Sequence, residues 1–128
     1  MINTVMKSWG FEEWIVNTEK YCGKFLHINK GKSCSYHYHP IKDETFFVMK
    51  GRIKLEFTSD KTLVAINDTI LREGSTFRIP PNVVHRFTSL STEAVLLEIS
   101  TAHDEKDSIR IKVPELIDVV KNLGKSTK

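Results

Sequence analysis

The chain reads Gly31-Lys-Ser-Cys-Ser-Tyr-His37-Tyr-His39-Pro-Ile-Lys-Asp-Glu44-Thr-Phe-Phe-Val-Met-Lys-Gly51 in its most informative segment. Side chains alternate between the two faces of a β-strand, so His37 and His39 are expected to point to the same side. Pro40 breaks that strand and starts a turn that delivers Glu44 to the beginning of the next strand. Imidazole and carboxylate groups that meet in this way suit a divalent transition metal.

A second segment downstream supplies a third histidine. His85 follows the rigid turn Pro80-Pro81-Asn82, which places it on a third strand. The ligands are expected to hold one ion of Mn, Zn, Fe, Co or Ni. The predicted metal ligands are His37, His39, Glu44 and His85.

The two segments resemble the two sequence motifs of the cupin superfamily. The first motif, Gly-x5-His-x-His-x4-Glu-x6-Gly, is matched at every position. The second, Gly-x5-Pro-x-Gly-x2-His-x3-Asn, is matched at Gly74, Pro80 and His85, with Asn82 and Ser89 in place of its second glycine and final asparagine. Asparagine tolerates left-handed backbone, and the final position is not a metal ligand. The resemblance implies an all-β fold, the cupin double-stranded β-helix or jelly-roll barrel.

Length and composition are those of one ordinary globular domain, taken here as residues 1–128. The net charge of +3 is small and scattered, which argues against a nucleic-acid partner. Membrane-spanning and secretory apolar runs are both missing, so we expect no membrane partner and a cytoplasmic location. Cys22 and Cys34 are expected to be free thiols, and strand alternation turns Cys34 away from His37 and His39.

Short apolar runs separated by turn signals predict a barrel over about residues 20–101. The segment 114–123 has apolar residues at helical spacing, begins at Pro114 and is followed by Gly124, which predicts a short C-terminal α-helix. Several strands are apolar on both faces, so the outer face needs covering by a second sheet or a second subunit. The resemblance to cupins, which are commonly dimeric, implies a homodimer. Asn67-Asp68 is read as a turn. The expected strands are 22–29, 33–39, 44–50, 52–58, 62–66, 76–80, 84–89 and 93–100.

Alternation also predicts which side chains line the barrel beside the metal. Phe46 and Leu26 are expected to point inward, and so is Lys24. A lysine that faces inward needs a carboxylate, a phosphate or solvent, so Lys24 either contacts an anionic substrate or pairs with an acid at the rim. Lys42 is expected near the mouth, as a substrate contact or as a solvated side chain. The same alternation points Ile28, Ser33, Ser35, Val48, Val83 and Phe87 inward and Arg86 outward, and His103 is a candidate for the rim.

The flanking sequence resembles one group of cupins more closely. Ser8-Trp9-Gly10-Phe11-Glu12 and Asp107-Ser-Ile-Arg110 are similar to the ends of the C-terminal cupin domain of type II phosphomannose isomerases, and the match spans about residues 8–110. Those enzymes carry glutamine where His37 stands. The complete set of three histidines is closer to that of the D-lyxose isomerases, which are related sugar isomerases.

This resemblance implies a small single-domain enzyme that isomerises a sugar or a sugar phosphate. The reaction would interconvert an aldose and a ketose, as in mannose-6-phosphate isomerase, through an enediolate that the metal stabilises. Glu44 is a candidate ligand or base, and Lys24 is a candidate for electrostatic help or phosphate contact. An iron-dependent dioxygenase, with the same ligands, and a non-catalytic sugar- or metal-binding module remain alternatives.

Overall fold

The computed structural model describes residues 2–112, which form two facing antiparallel sheets. The larger sheet has the strand order β1-β2-β3-β10-β5-β8 and the smaller sheet the order β11-β4-β9-β6-β7. This architecture confirms the predicted all-β barrel, while the predicted helix at 114–123 lies outside the described residues. The strands are β1 (Asn3–Lys7), β2 (Gly10–Asn17), β3 (Cys22–Asn29), β4 (His37–Tyr38), β5 (Glu44–Lys50), β6 (Ile53–Thr58), β7 (Asn67–Leu71), β8 (Thr76–Ile79), β9 (Val84–Ser89), β10 (Glu93–Ser100) and β11 (Ile109–Arg110).

The core lies between the sheets and follows the alternation of the strands. In β3, β5 and β10 every second residue is buried, so one face of the larger sheet packs against the smaller one. Removing these apolar side chains from water is the main force that holds the sheets together. The predicted inward orientation of Leu26, Ile28, Phe46, Val48 and Phe87 is confirmed, since all five are buried in this core.

Two predicted elements between β6 and β8 are wrong. Residues 62–66 form a loop because the Asp60 carboxylate accepts hydrogen bonds from the backbone of Thr62, Val64 and Ala65, which competes with strand pairing. The predicted turn at Asn67-Asp68 instead begins β7, which pairs with β6. Local propensity favoured a turn there, but the open edge of β6 offers a complete set of backbone partners.

The segment 33–39 is less regular than predicted. Only His37 and Tyr38 form a strand, and Ser33 makes an isolated bridge to Thr88. Farther along the chain, Asn82 has a φ of 69°, a left-handed conformation that asparagine tolerates in place of glycine. Gly51 has a φ of 80°, and a Cβ there would lie 2.4 Å from the carbonyl oxygen of Glu93.

The sheets meet where the predicted ligands lie. His37 and His85 are directly opposite each other on β4 and β9 of the smaller sheet. Glu44 is the first residue of β5, in the larger sheet. The candidate centre therefore joins the two layers of the barrel. Among the described residues, no helix is long and apolar enough to cross a membrane.

Candidate metal centre

The fold brings all four predicted ligands together. One side-chain nitrogen from each of His37, His39 and His85 lies within 4.8 Å of the others. Glu44 approaches them from the facing sheet, with Oε2 3.2 Å from Nε2 of His39 and 3.2 Å from Nε2 of His85. Glu44, His39 and His85 are buried, and His37 is half-buried.

The backbone orients each of the three imidazole rings. Nδ1 of each ring lies against a carbonyl oxygen, which can only accept, so Nδ1 carries the hydrogen. Nε2 of each neutral ring is then left with an electron pair, as in histidines that bind metal through Nε2. The acceptors are the oxygens of Ser35 for His37 (2.8 Å), Asp107 for His39 (3.1 Å) and Val83 for His85 (3.1 Å).

Two polar atoms at the centre are buried without a hydrogen bond, Oε2 of Glu44 and Nε2 of His85. When His85 is neutral, both atoms present electron pairs, which repel each other unless a proton or a metal ion lies between them. Ligands about 2.0–2.2 Å from a metal lie roughly 3.0–3.4 Å apart in octahedral or tetrahedral arrangements. The observed 3.2 Å fits this range, so the residues present suit a divalent transition metal.

The charge states agree with this chemistry. Burial by itself raises the pKa of Glu44, but the hydrogen bonds and positive charge that His39 and His85 supply when they are protonated lower it by more, so the net pKa lies well below its usual value and a positive charge at this point favours the carboxylate. Desolvation and the nearby His85 lower the pKa of His37 well below its usual value. At neutral pH Glu44 is therefore an anion and His37 is a neutral imidazole.

Lys24 points into the barrel, as predicted, and only 1% of its surface is exposed. Its Nζ lies 3.6 Å from Oε1 of Glu12 and 4.0 Å from the centre of the Trp14 ring. The Trp14 indole also donates to Oε1 of Glu12, at 2.8 Å. The sequence left a substrate or an acid as possible partners of Lys24. The structure shows an acid, Glu12, which lies on β2, a strand that the sequence did not predict.

The structure contains a second buried ion pair, between Lys42 and Glu98, that the sequence did not predict. Lys42 is 3% exposed, and its Nζ lies 2.7 Å from Oε2 of Glu98 and 3.0 Å from Nδ1 of His103. Ser100 donates to the same Glu98 oxygen at 2.9 Å. Burial lowers the pKa of Lys42, but Glu98 and Glu44 raise it by more, so Lys42 is a cation. Alternation along β10 would have predicted Glu98 inward, whereas the burial of Lys42 has no local signal.

His37, His39 and Glu44 of the metal centre line one cavity together with the two ion pairs. Ser35 lines it as expected, and His103 stands at its rim. Desolvation lowers the pKa of His103, which favours its neutral form. Cys34 also lines the cavity, so the prediction that it faces away is wrong, because residues 34–36 are not in a strand and do not alternate. The apolar wall consists of Trp9, Leu26, Cys34, Phe46 and Phe87.

The amino-acid sequence is similar to known proteins that have this kind of barrel. The family model for the cupin domain matches residues 24–100. The D-lyxose/D-mannose isomerase of Thermosediminibacter oceani is 30% identical, over 80% of this chain and 71% of its own length. The D-lyxose ketol-isomerase of a Thermofilum species is 28% identical, over 88% of this chain and 77% of its own length.

A solved structure extends the likeness to the fold. The capsular polysaccharide assembling protein CapF from Staphylococcus aureus superposes with a TM-score of 0.76 and 18% identity over 88% of this chain. This chain spans about a third of that protein, 33% of its length. The two sequence relatives confirm the prediction of an isomerase enzyme. The cupin motifs, the two-sheet barrel and the matched family model agree, and the chain belongs to the cupin family.

Proposed function

We propose that this cupin is a metal-dependent enzyme that interconverts an aldose and a ketose. The observation that carries the proposal is the buried contact of Oε2 of Glu44 with Nε2 of His85, at a distance that a metal ion bound to both atoms would give. His37, His39, Glu44 and His85 would hold the metal. The sugar isomerases among the relatives support a sugar as the substrate.

Aldose–ketose isomerisation moves a proton between C2 and C1 while negative charge develops on the adjacent oxygens. When bound, the metal supplies a Lewis acid that stabilises this charge. Glu44 faces the imidazole nitrogens and serves as a ligand, so a different carboxylate is needed as the base. Glu98 lines the same cavity, held in orientation by Lys42 and Ser100, and we assign it this role.

The two buried lysines have separate roles in this scheme. Lys42 holds Glu98 and adds positive charge beside it. Lys24 lies opposite Glu98 on the neighbouring strand β3 and stabilises developing negative charge electrostatically. Both ammonium groups already have carboxylate partners, Glu12 for Lys24 and Glu98 for Lys42. They are therefore poorly suited to hold a doubly charged phosphate as well.

This pairing favours an unphosphorylated aldose, such as the D-lyxose and D-mannose named for the relatives. A sugar phosphate of the mannose-6-phosphate type is the second candidate, because Lys7 and Arg110 line the same cavity toward its rim. The two substrates differ in the charge that the mouth of the cavity must accept. Replacing both Lys7 and Arg110 by methionine would therefore raise KM strongly for a sugar phosphate and little for a neutral sugar.

The first experiment is metal analysis of the purified protein, followed by isomerase assays on D-lyxose, D-mannose and mannose 6-phosphate. We expect one transition-metal ion per chain, loss of activity on chelation, and recovery when Mn, Zn, Co or Ni is returned. Stoichiometric iron with oxygen uptake would favour a dioxygenase instead. A chain that binds sugar or metal but turns over none of these substrates would favour the non-catalytic module.

The homodimer is part of the proposal and rests on the outer face of the larger sheet. Phe25, Leu97 and Phe47 are neighbours across β3, β10 and β5, and Ile99 beside them is 58% exposed. His27 on this face is paired with Glu13, so two copies of the face can meet without like charges opposing each other. We therefore assign this face to a second copy of this chain, which would remove its apolar side chains from water.

Light scattering tests the dimer. We expect twice the mass of the chain for the wild type and the mass of one chain for Ile99→Lys. Ile70→Lys is the matched control, because Ile70 is 54% exposed on β7 of the other sheet. A wild-type monomer, or dissociation by the control as well, would argue against this interface.

A further inference from the structure

We propose that Asp107 is a positioning residue that holds the loop 40–43 and, through it, the metal centre. The inference rests on the proposed metal-dependent function. Asp107 lies far along the chain from the loop, at the end of a short 3-10 turn, Glu105–Asp107. Its side chain does not approach the metal ligands as a ligand, so any effect on the centre passes through the backbone that it binds.

The loop 40–43 has lost its strand partners, because Pro40 interrupts the strand that carries His37 and His39. Its backbone N–H groups are satisfied by side chains instead. Ile41 donates to Oδ1 of Asp107 at 2.9 Å and Lys42 donates to Oδ2 at 2.8 Å. The next amide, that of Asp43, donates to Oγ1 of Thr101 at 3.1 Å. Three consecutive amides of the loop thus depend on the segment 101–107.

The same residue also reaches the centre on its other side. The backbone oxygen of Asp107 accepts the Nδ1 hydrogen of His39 at 3.1 Å, which leaves Nε2 of His39 for the metal. The loop that Asp107 binds runs directly from His39 to Glu44 and includes Lys42. Asp107 therefore fixes the ring of one ligand, the approach of a second and the ammonium group that contacts Glu98.

The environment of Asp107 is suited to this task. Asp107 is only 9% exposed, so its hydrogen bonds are shielded from competing water. The 3-10 turn is held at its start by Asp104, which accepts from the Lys106 N–H at 3.0 Å. His103, which precedes Asp104, is held by Asn17. The Asn17 side chain donates to the backbone oxygen of His103 at 3.1 Å and accepts from its N–H at 2.9 Å. The segment is anchored independently of the metal ligands.

The test compares Asp107→Asn with Asp60→Asn in the full chain. An asparagine can accept only through one side-chain atom, so each variant loses part of a carboxylate that binds backbone N–H groups. Asp60 makes such bonds in the loop after β6, away from the centre. Affinity for Co²⁺ is measured by competition with a chelator. The absorption spectrum of the bound Co²⁺ reports its coordination. The ¹⁵N chemical shifts of the histidine rings in the metal-free protein report their tautomers.

We expect Asp107→Asn to weaken Co²⁺ binding by about 10-fold, the low end of the effect of losing an outer partner of a metal ligand, because the backbone oxygen that accepts from His39 remains and only the amides of the loop lose a bond. Its spectrum should change, and His39 should become a mixture of tautomers. Asp60→Asn should lower thermal stability while leaving both Co²⁺ affinity and His39 as in the wild type. Wild-type affinity and spectrum in Asp107→Asn would overturn the proposal.

Two further arms keep the result interpretable. If Asp107→Asn does not fold, Thr101→Val removes only the bond to the Asp43 amide. Reduced Co²⁺ affinity in Thr101→Val then supports positioning by this segment, and unchanged affinity overturns it. If the wild type binds no metal, the metal-dependent function fails on its own. In that case the tautomer of His39 in Asp107→Asn still decides whether Asp107 orients the ring.

Discussion

The two polar walls of the cavity are built on opposite principles. At the metal centre, electron pairs of His39, His85 and Glu44 converge, and two of the buried atoms have no hydrogen bond. At the other wall, Lys42 and Glu98 meet at 2.7 Å as opposite charges. Under the proposed function the first wall is complete only when a metal ion is bound, whereas the second already pairs its charges. The proposed function therefore assigns metal binding and the orientation of catalytic groups to different parts of one barrel.

The largest expected effect comes from removing a ligand at the first wall. His85→Ala should lose the metal and lower kcat/KM by about 10³-fold or more, since Lewis-acid stabilisation contributes several kcal/mol. Elemental analysis and turnover measure the two losses. His27→Ala is the matched control, because His27 lies on the outer face against Phe11 and Glu13. Full metal occupancy in His85→Ala would contradict the assignment of metal binding to the wall that contains His85.

The second wall should affect the reaction without affecting the metal. Glu98→Gln keeps the shape of the side chain but removes the base, so kcat should fall about 10²- to 10³-fold while metal content stays at the wild-type level. Glu93→Gln provides the control on the same strand, where Glu93 forms an exposed pair with Lys50. Near-normal kcat in Glu98→Gln would return the role of base to Glu44 or to another group.

Stability should also distinguish the walls. Lys42→Met leaves Glu98 buried without its cation and should cost about 3–5 kcal/mol of unfolding free energy, measured with urea on the metal-free protein. The double variant Lys42→Met/Glu98→Leu should recover much of this loss, since it removes the uncompensated charge. A double variant as unstable as the single one would mean that packing, rather than charge, is responsible.

The pH dependence of this stability follows from the raised pKa of Lys42. A lysine whose pKa is higher in the folded state contributes stability that is fully present below its unfolded pKa of about 10.4. That contribution is lost as the pH rises through the higher folded value. The difference in unfolding free energy between wild type and Lys42→Met should therefore be flat from neutral pH to about pH 10 and shrink above it.

The smallest effect is expected at Lys24. Lys24→Met should lower kcat about tenfold, because its charge is already partly offset by Glu12, and the metal should remain bound. Lys50→Met, on an exposed side chain at the end of β5, should leave kcat unchanged. Loss of metal in Lys24→Met would show that the two walls are not independent.

Much of the candidate centre was predictable because its signals are local. The spacing of His37 and His39 and the break at Pro40 follow from strand alternation and proline chemistry, which act over a few residues. The inward direction of Lys24 followed from the same rule. The rule failed for Cys34, because it assumes a regular strand and the chain forms one only at His37 and Tyr38.

Contacts between distant segments were not predictable in this way. Lys42 and Glu98 are 56 positions apart, and Asp107 binds a loop 65 positions earlier. The acid that meets Lys24 comes from β2, a strand that the hydrophobic pattern did not reveal. Such pairs depend on which strands become neighbours, and a sequence pattern with a period of two does not encode that order.

The sequence by itself determined the kinds of chemical groups and their local directions: three imidazoles and one carboxylate on short strands, with a lysine facing inward. Tertiary structure decided which groups became neighbours. It placed β5 opposite β4 and β9, so that Glu44 reaches the histidines, and it set β10 between β3 and β5, so that Glu98 enters the cavity. The physical reason is that side-chain direction follows from the geometry of each strand, whereas neighbours follow from the pairing and packing of whole sheets.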